Sequence, residues 1–199
     1  MKRLIGKTVL FLAGWSVVRN ANIPKKCVMI AAPHTSNWDL VFMLALGYEA
    51  GIHISWLGKH SLFEIPLLGR LLTWLGGIPI RRHEHRNVVH QMADRFAETD
   101  RLILAVQPEG TRKRAAHWRS GFYHIALTAK VPLLMAFVDY AGKQGGFGPV
   151  LKPTGDMSKD LEPIRQFYST KGGKYPELFG DIRFRDDEMT DGAPWNVRS

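Results

Sequence analysis

Cysteine is almost missing from this chain: Cys27 is the only one in 199 residues. That excludes a disulfide framework and a cysteine-based zinc site, and it agrees with a reducing compartment. Acidic residues are missing from the start, since no Asp or Glu precedes Asp39 whereas Lys2, Arg3, Lys7, Arg19, Lys25 and Lys26 all do. Long apolar runs are also absent. The N-terminal apolar stretch, 8–18, lies between Lys7 and Arg19 and is far shorter than the roughly 20 residues a spanning helix needs. It lacks the Ala-x-Ala type of cleavage site of a signal peptide. No Gly-x-Ser-x-Gly elbow occurs, which removes the usual serine acyl-enzyme arrangement. There is no internal repeat, low-complexity tract or linker before the tail.

Positive charge, by contrast, is abundant: 27 Lys and Arg against 18 Asp and Glu give a net charge of +9. Such an excess points to an anionic partner. Basic residues next to apolar sequence suit a membrane surface and anionic lipids better than a nucleic-acid groove, and no nucleic-acid motif is present. The acids gather instead near the end, at Asp181, Asp186, Asp187, Glu188 and Asp191. Residues 1–26 are therefore expected to form a basic, apolar membrane-surface segment. Within it, 8–18 is an interfacial helix with Phe11 and Trp15 near one another, or a plain N-terminal helix packed on the domain.

With 45% apolar and 23% charged residues, the rest suits one globular domain, 27–183, followed by a loosely ordered tail, 184–199. Residues 28–32 are β-branched and apolar and end at Pro33, which predicts a buried strand finishing near His34. Ser36 or Asn37 can cap a helix running to 50. Further strands are expected at 52–57, 78–80, 102–106 and 133–138, with one more at 150–151. Helices are expected at 65–75, entered at Pro66, and at 86–98 and 122–130. Alternating strands and helices predict an α/β domain, a largely parallel central sheet flanked by helices.

Three segments fall at strand ends, where such sheets carry their sites. In His34-Thr-Ser-Asn-Trp-Asp39, a histidine can take a proton near neutral pH, and a carboxylate can fix its tautomer. Five residues is not a same-face helical spacing, so the two meet only if a bend lies between strand and helix. Pro108-Glu-Gly-Thr-Arg112 follows the clearest buried strand. Its turn displays Glu109, Thr111 and Arg112, the arginine offers a donor fork suited to phosphate, and Gly110 permits close backbone approach. Gly76-Gly-Ile-Pro-Ile-Arg-Arg82 ends in paired cations. Each has a bland reading when taken alone, respectively a structural His and Asp, a turn with a surface ion pair, and a solvated basic rim.

Taken together, these residues resemble the glycerolipid acyltransferases, the superfamily of lysophosphatidic acid acyltransferases. His34 and Asp39 match its first motif, and Gly76 to Arg82 its second. Pro108 to Arg112 match its third in full, and Val131, Pro132, Leu133 and Leu134 its fourth. Order and spacing agree over 27–140. The resemblance implies an O-acyltransferase in which His34, oriented by Asp39, deprotonates an acceptor hydroxyl. That hydroxyl then attacks the thioester of acyl-CoA or acyl-carrier protein, a co-substrate and not a bound cofactor. It further implies that Arg82, Glu109, Gly110, Thr111 and Arg112 bind substrate, that the acceptor is a lysophospholipid or related glycerolipid, and that the work is done peripherally on the cytoplasmic face of a membrane. Backbone donors near Gly110 are candidates for the oxyanion site.

The chain also departs from the family. Arg81 stands where many members carry an acid, Gln107 where an aromatic is common, and Met135 or Ala136 where a second proline is common. A more basic site leaves room for an acceptor other than lysophosphatidic acid, including a lyso-aminolipid without phosphate. A non-catalytic protein that binds anionic lipid is the competing class. His83, His85 and His90 lack the companion carboxylate or cysteine spacing of a metal site. Lys113, Arg114, Trp118 and Arg119 make a basic, aromatic patch for a phosphorylated donor or for headgroups. Residues 65–75 could line an acyl channel or enter the bilayer, with core packing as the default. Cys27 is expected in the core.

Overall fold

A computed structural model describes residues 1–19, 22–80 and 85–185, without the side chains of 85–87. Alternation within one strand organises the molecule. In β2 (Lys26–Ala31), Val28 and Ile30 face one hydrophobic layer while Cys27 and Met29 face the other, as the two-residue period of a strand requires. The same division holds in β5 (Leu102–Val106) and β6 (Leu133–Asp139), so the sheet is buried on both faces. The sheet has seven strands in the order β1-β7-β6-β2-β5-β3-β4. β3 (Ile54–Lys59), β4 (Gly77–Ile80) and β6 run parallel with β2 and β5, and among the described residues only the β6–β7 pairing is antiparallel. β7 (Gln144–Leu151) and the edge strand β1 (Ser16–Arg19) pair with each other in parallel. The fold is the expected single α/β layer structure with a largely parallel sheet.

One face is covered by α1 (Lys2–Leu12), α2 (Trp38–Ala50) and the short α3 (His60–Phe63) and α4 (Leu68–Trp74). The other carries α5 (His85–Glu98), α6 (Gly121–Ala129) and α7 (Met157–Tyr168). α2 is apolar nearly all round because the sheet lies on one side and α1 on another, burying Met43, Leu44, Ala45 and Leu46 together. α1 can come this close because of Gly6, where a Cβ would lie 2.5 Å from the Ala45 carbonyl oxygen.

The N-terminal helix differs from the expected 8–18. It starts at Lys2 and ends at Leu12, where Gly14 turns the chain at φ 70° and the Trp15 N–H bonds back to the Leu10 carbonyl at 2.8 Å. It packs on the domain through Gly6 and Leu10, while Leu4, Phe11 and Leu12 remain exposed. Trp15 lies beyond the helix end and stacks on Phe42, centroids 4.2 Å apart. The helix expected at 65–75 is shorter, α4 at Leu68–Trp74, and begins after a turn around Pro66 and Leu67, whereas α3 lies ahead of the expected range. Ile65, Leu67, Leu71 and Trp74 are exposed and not core. α7 has no counterpart in the sequence reading; it buries Leu161, Ile164 and Tyr168 despite Pro163. Phe184, expected to begin a loose tail, is buried against Phe122 and Tyr123, and 186–199 lie outside the described residues.

Candidate active site

β2 and β5 are neighbours at the centre of the sheet, yet the chain leaves their carboxyl ends toward opposite faces, to α2 from β2 and to α6 from β5. A crevice opens at such a switch point. Into it come the two segments expected to meet there, residues 33–37 and 107–112.

Asp39 stands in the first turn of α2, buried, at the centre of a ring of donors. Its Oδ2 accepts the backbone N–H groups of Thr35 and Ser36, both at 2.8 Å, and lies 3.2 Å from His34 Nδ1. Its Oδ1 accepts the Tyr140 hydroxyl at 2.8 Å. The bend required by the five-residue spacing is thus made by the carboxylate itself, which gathers the backbone of Thr35 and Ser36 and the His34 ring around one oxygen. Because a carboxylate only accepts, the Nδ1 proton sits on His34 and Nε2 keeps its lone pair. The His34 side chain is 20% exposed and lines a cleft of about 1230 Å³.

The cleft has two kinds of wall. Leu57, Ile80, Val88, Val106, Phe122 and Ile125 form an apolar wing between the ends of β3, β4 and β5 and the helices α5 and α6. Arg112, Lys113, Arg119 and Lys174 give the remainder a cationic lining. Arg112 Nη1 donates to the Asn37 side chain, fastening the 107–112 loop to the loop that bears His34. Thr111 lines the cleft and its hydroxyl accepts the Lys113 N–H at 3.2 Å. Gly110 (φ 64°) has the Arg119 side chain across it, with Nε 2.6 Å from where a Cβ would be. A side chain here would be strained at this φ and would displace the Arg119 side chain.

Three expectations change. Glu109 does not line the cleft. It is 5% exposed, and its Oε1 accepts the His34 backbone N–H at 2.9 Å while Oε2 has no partner. Burial pushes its carboxyl up to about 7, against the pull of nearby N–H groups and His34. Its side chain lies behind the histidine and not on the cleft wall. The Gly110 N–H is taken by the Gln107 carbonyl at 3.1 Å, so it is not a free oxyanion donor. Trp118 is fully buried, leaving the patch after the third motif cationic without it. Cys27 is buried in β2 as expected, and burial pushes its thiol up to about 12, which rules it out as a thiolate nucleophile.

Arg82 and His83, with the side chain of His85, lie outside the described residues. Among the described residues no three His, Cys, Asp or Glu gather as a metal site. Asn37 and Arg119, read in the sequence as a helix cap and as part of a basic patch, line the cleft, and Tyr140 and Lys174 join the site without notice in the sequence. Tyr140 directly follows Asp139 at the end of β6, and the others sit in loops whose approach depends on the tertiary fold.

The family model described as Acyltransferase matches residues 16–137. A probable 1-acyl-sn-glycerol-3-phosphate acyltransferase of Mycoplasma pneumoniae is 30% identical over 128 residues, covering 59% of this chain and 46% of that protein. The chain therefore spans about half the length of this curated relative. The crystal structure of the 1-acyl-sn-glycerophosphate (LPA) acyltransferase PlsC from Thermotoga maritima is similar in fold, with a TM-score of 0.56 at 17% identity over 82% of this chain and 73% of that one. The chain belongs to the acyltransferase family.

Proposed function

We propose that this protein moves a fatty acyl group from a thioester, acyl-CoA or acyl-carrier protein, to a hydroxyl of a lysophospholipid or related glycerolipid. The observation that carries the reading is the His34–Asp39 pair, 3.2 Å apart, at a cleft that is apolar on one side and cationic on the other. His34 Nε2 takes the proton of the acceptor hydroxyl as its oxygen attacks the thioester carbonyl carbon. The tetrahedral intermediate collapses with cleavage of the C–S bond, and the imidazolium returns the proton to the departing thiolate. Asp39 keeps the ring in the reactive tautomer and balances the charge that forms on it. The apolar wing receives the acyl chain. Arg112, with the cationic residues beside it, holds an anionic group of acceptor or donor, a task in which the resemblance also includes Arg82. Glu109 holds the His34 backbone. The relatives named as 1-acylglycerol-phosphate acyltransferases favour a phosphorylated acceptor.

The substrates of this reaction live in membranes, and the exposed apolar residues support working at a bilayer surface. Leu4, Phe11 and Leu12 of α1, Leu67 just before α4, and Leu71 and Trp74 of α4 are exposed on helices that cover the same face of the sheet. The Lys2 ammonium sits over the Trp74 ring at 4.8 Å and joins the two helices. The association proposed is peripheral, on the cytoplasmic side, with anionic lipids; among the described residues no helix is long and apolar enough to cross a membrane.

Purified protein offered labelled acyl-CoA or acyl-carrier protein and a panel of lysolipids tests the reading. Transfer to a phosphorylated lysolipid is expected. Transfer only to a lyso-aminolipid would remove the phosphate-binding task from Arg112, and no transfer to any acceptor would refute the proposal.

A further inference from the structure

Asp39 can orient His34 only if its own carboxylate is prevented from rotating. Three of its four contacts converge on Oδ2, and the fourth, the Tyr140 hydroxyl at 2.8 Å, donates to Oδ1. Loss of that bond frees Oδ1 and with it the plane of the carboxylate. Tyr140 is itself fixed. Its backbone N–H donates to the Gly172 carbonyl at 2.9 Å, and its ring meets Trp15 edge-on at 5.0 Å and Phe42 edge-on at 5.8 Å. Trp15 and Phe42 stack on each other, so the three rings form one closed cluster. Burial and the adjacent Asp39 raise the Tyr140 phenol well above its usual range, which keeps it a donor at every working pH. Trp15 arrives at this cluster through the turn that ends α1, bonded to Leu10.

We propose that Tyr140, braced by Trp15, is a positioning residue for the His34–Asp39 pair, and that the segment following α1 is thereby part of the catalytic machinery. The inference rests on the acyl transfer proposed above. Its chemistry is geometric: a displacement of the ring by a fraction of an ångström takes Nε2 out of line with the acceptor hydroxyl, and such misplacement lowers rates by about 10- to 100-fold without weakening substrate binding.

The test compares wild type with Tyr140→Phe, Trp15→Ala and Trp15→Phe, under steady-state conditions with a donor and acceptor the wild type uses. Tyr140→Phe is expected to lower kcat by about 10-fold or more while KM for both substrates changes less than about twofold. Trp15→Ala should do the same, and Trp15→Phe, which keeps an aromatic ring against Tyr140, should recover most of the rate. In a cycle with Asp39→Ala, the Tyr140→Phe loss should vanish, because its only effect runs through the carboxylate. An unchanged kcat in Tyr140→Phe, a change confined to KM, or losses that multiply with Asp39→Ala would overturn the proposal. Should Asp39→Ala fail to fold, the kcat and KM comparison and the Trp15 pair still decide. A wild type with no transferase activity would refute the reaction itself, whereas an active wild type with an indifferent Tyr140→Phe refutes only the positioning role.

Discussion

Glu109 keeps one oxygen on the His34 backbone and the other buried without a partner, an arrangement with a consequence for stability. In the fold its carboxyl holds its proton up to about 7, whereas in the unfolded chain it releases it near the ordinary 4.5. The folded state therefore binds more protons than the unfolded state between these values, and stability falls as pH rises through that window, by about 3 kcal/mol at most. Glu109→Gln keeps an acceptor for His34 and never ionises. Unfolding in urea is expected to find the variant about as stable as wild type at pH 4.5 and more stable at pH 8. Equal stability differences at the two pH values would show that Glu109 does not titrate in this way. At the cleft, Arg112→Ala should raise KM for a phosphorylated acceptor about 10-fold or more while leaving kcat within a few-fold, since one charge-assisted contact is worth about 1.5–3 kcal/mol. A loss confined to kcat would contradict the binding role.

α1 is an element whose docking turns on one residue. A side chain at Gly6 would meet the Ala45 carbonyl and the Glu49 backbone within 2.7 Å, so Gly6→Val is expected to lower stability by about 1–3 kcal/mol. If α1 also braces Trp15, the same variant should lower kcat. An unchanged Tm would mean that α1 does not pack on α2. The strands that build the site were legible because their apolar character is continuous: 28–32, 102–106 and 133–138 are apolar on both faces, and the strand-to-helix bend at 33–38 is marked by Pro33 and Asn37. What escaped notice lacks that signature. In β7, Gly145, Gly146 and Gly148 followed by Pro149 hide all of the strand but its end at 150–151. In α7, the apolar stripe of Leu161, Ile164 and Tyr168 is scattered through charged sequence and crossed by Pro163. The Tyr168 hydroxyl reaches the carbonyls of Ile30 and Ala136, both at 2.9 Å, at the carboxyl ends of β2 and β6. Tertiary contact, and not local pattern, decided that helix's place. Glu109 illustrates the same limit within the site, because a motif letter does not reveal whether its side chain faces substrate or the neighbouring loop.

For the whole molecule, the basic balance and the exposed apolar residues of α1 and α4 lead to one expectation. Binding to vesicles containing anionic lipid should weaken as salt rises, each Lys or Arg at the surface contributing about 1 kcal/mol at low salt. Phe11→Ser together with Leu4→Ser should weaken it further at any salt, and sedimentation with vesicles measures both. Binding unaffected by these substitutions would move the membrane face elsewhere. The reaction, however, stands on His34. The most direct test is thiol release in the presence of donor and acceptor, compared between wild type and a folded His34→Ala. Loss of at least about 10²-fold in kcat is predicted, within the usual reach of general base catalysis. A His34→Ala protein that folds normally and keeps its rate within a few-fold of wild type would contradict the account.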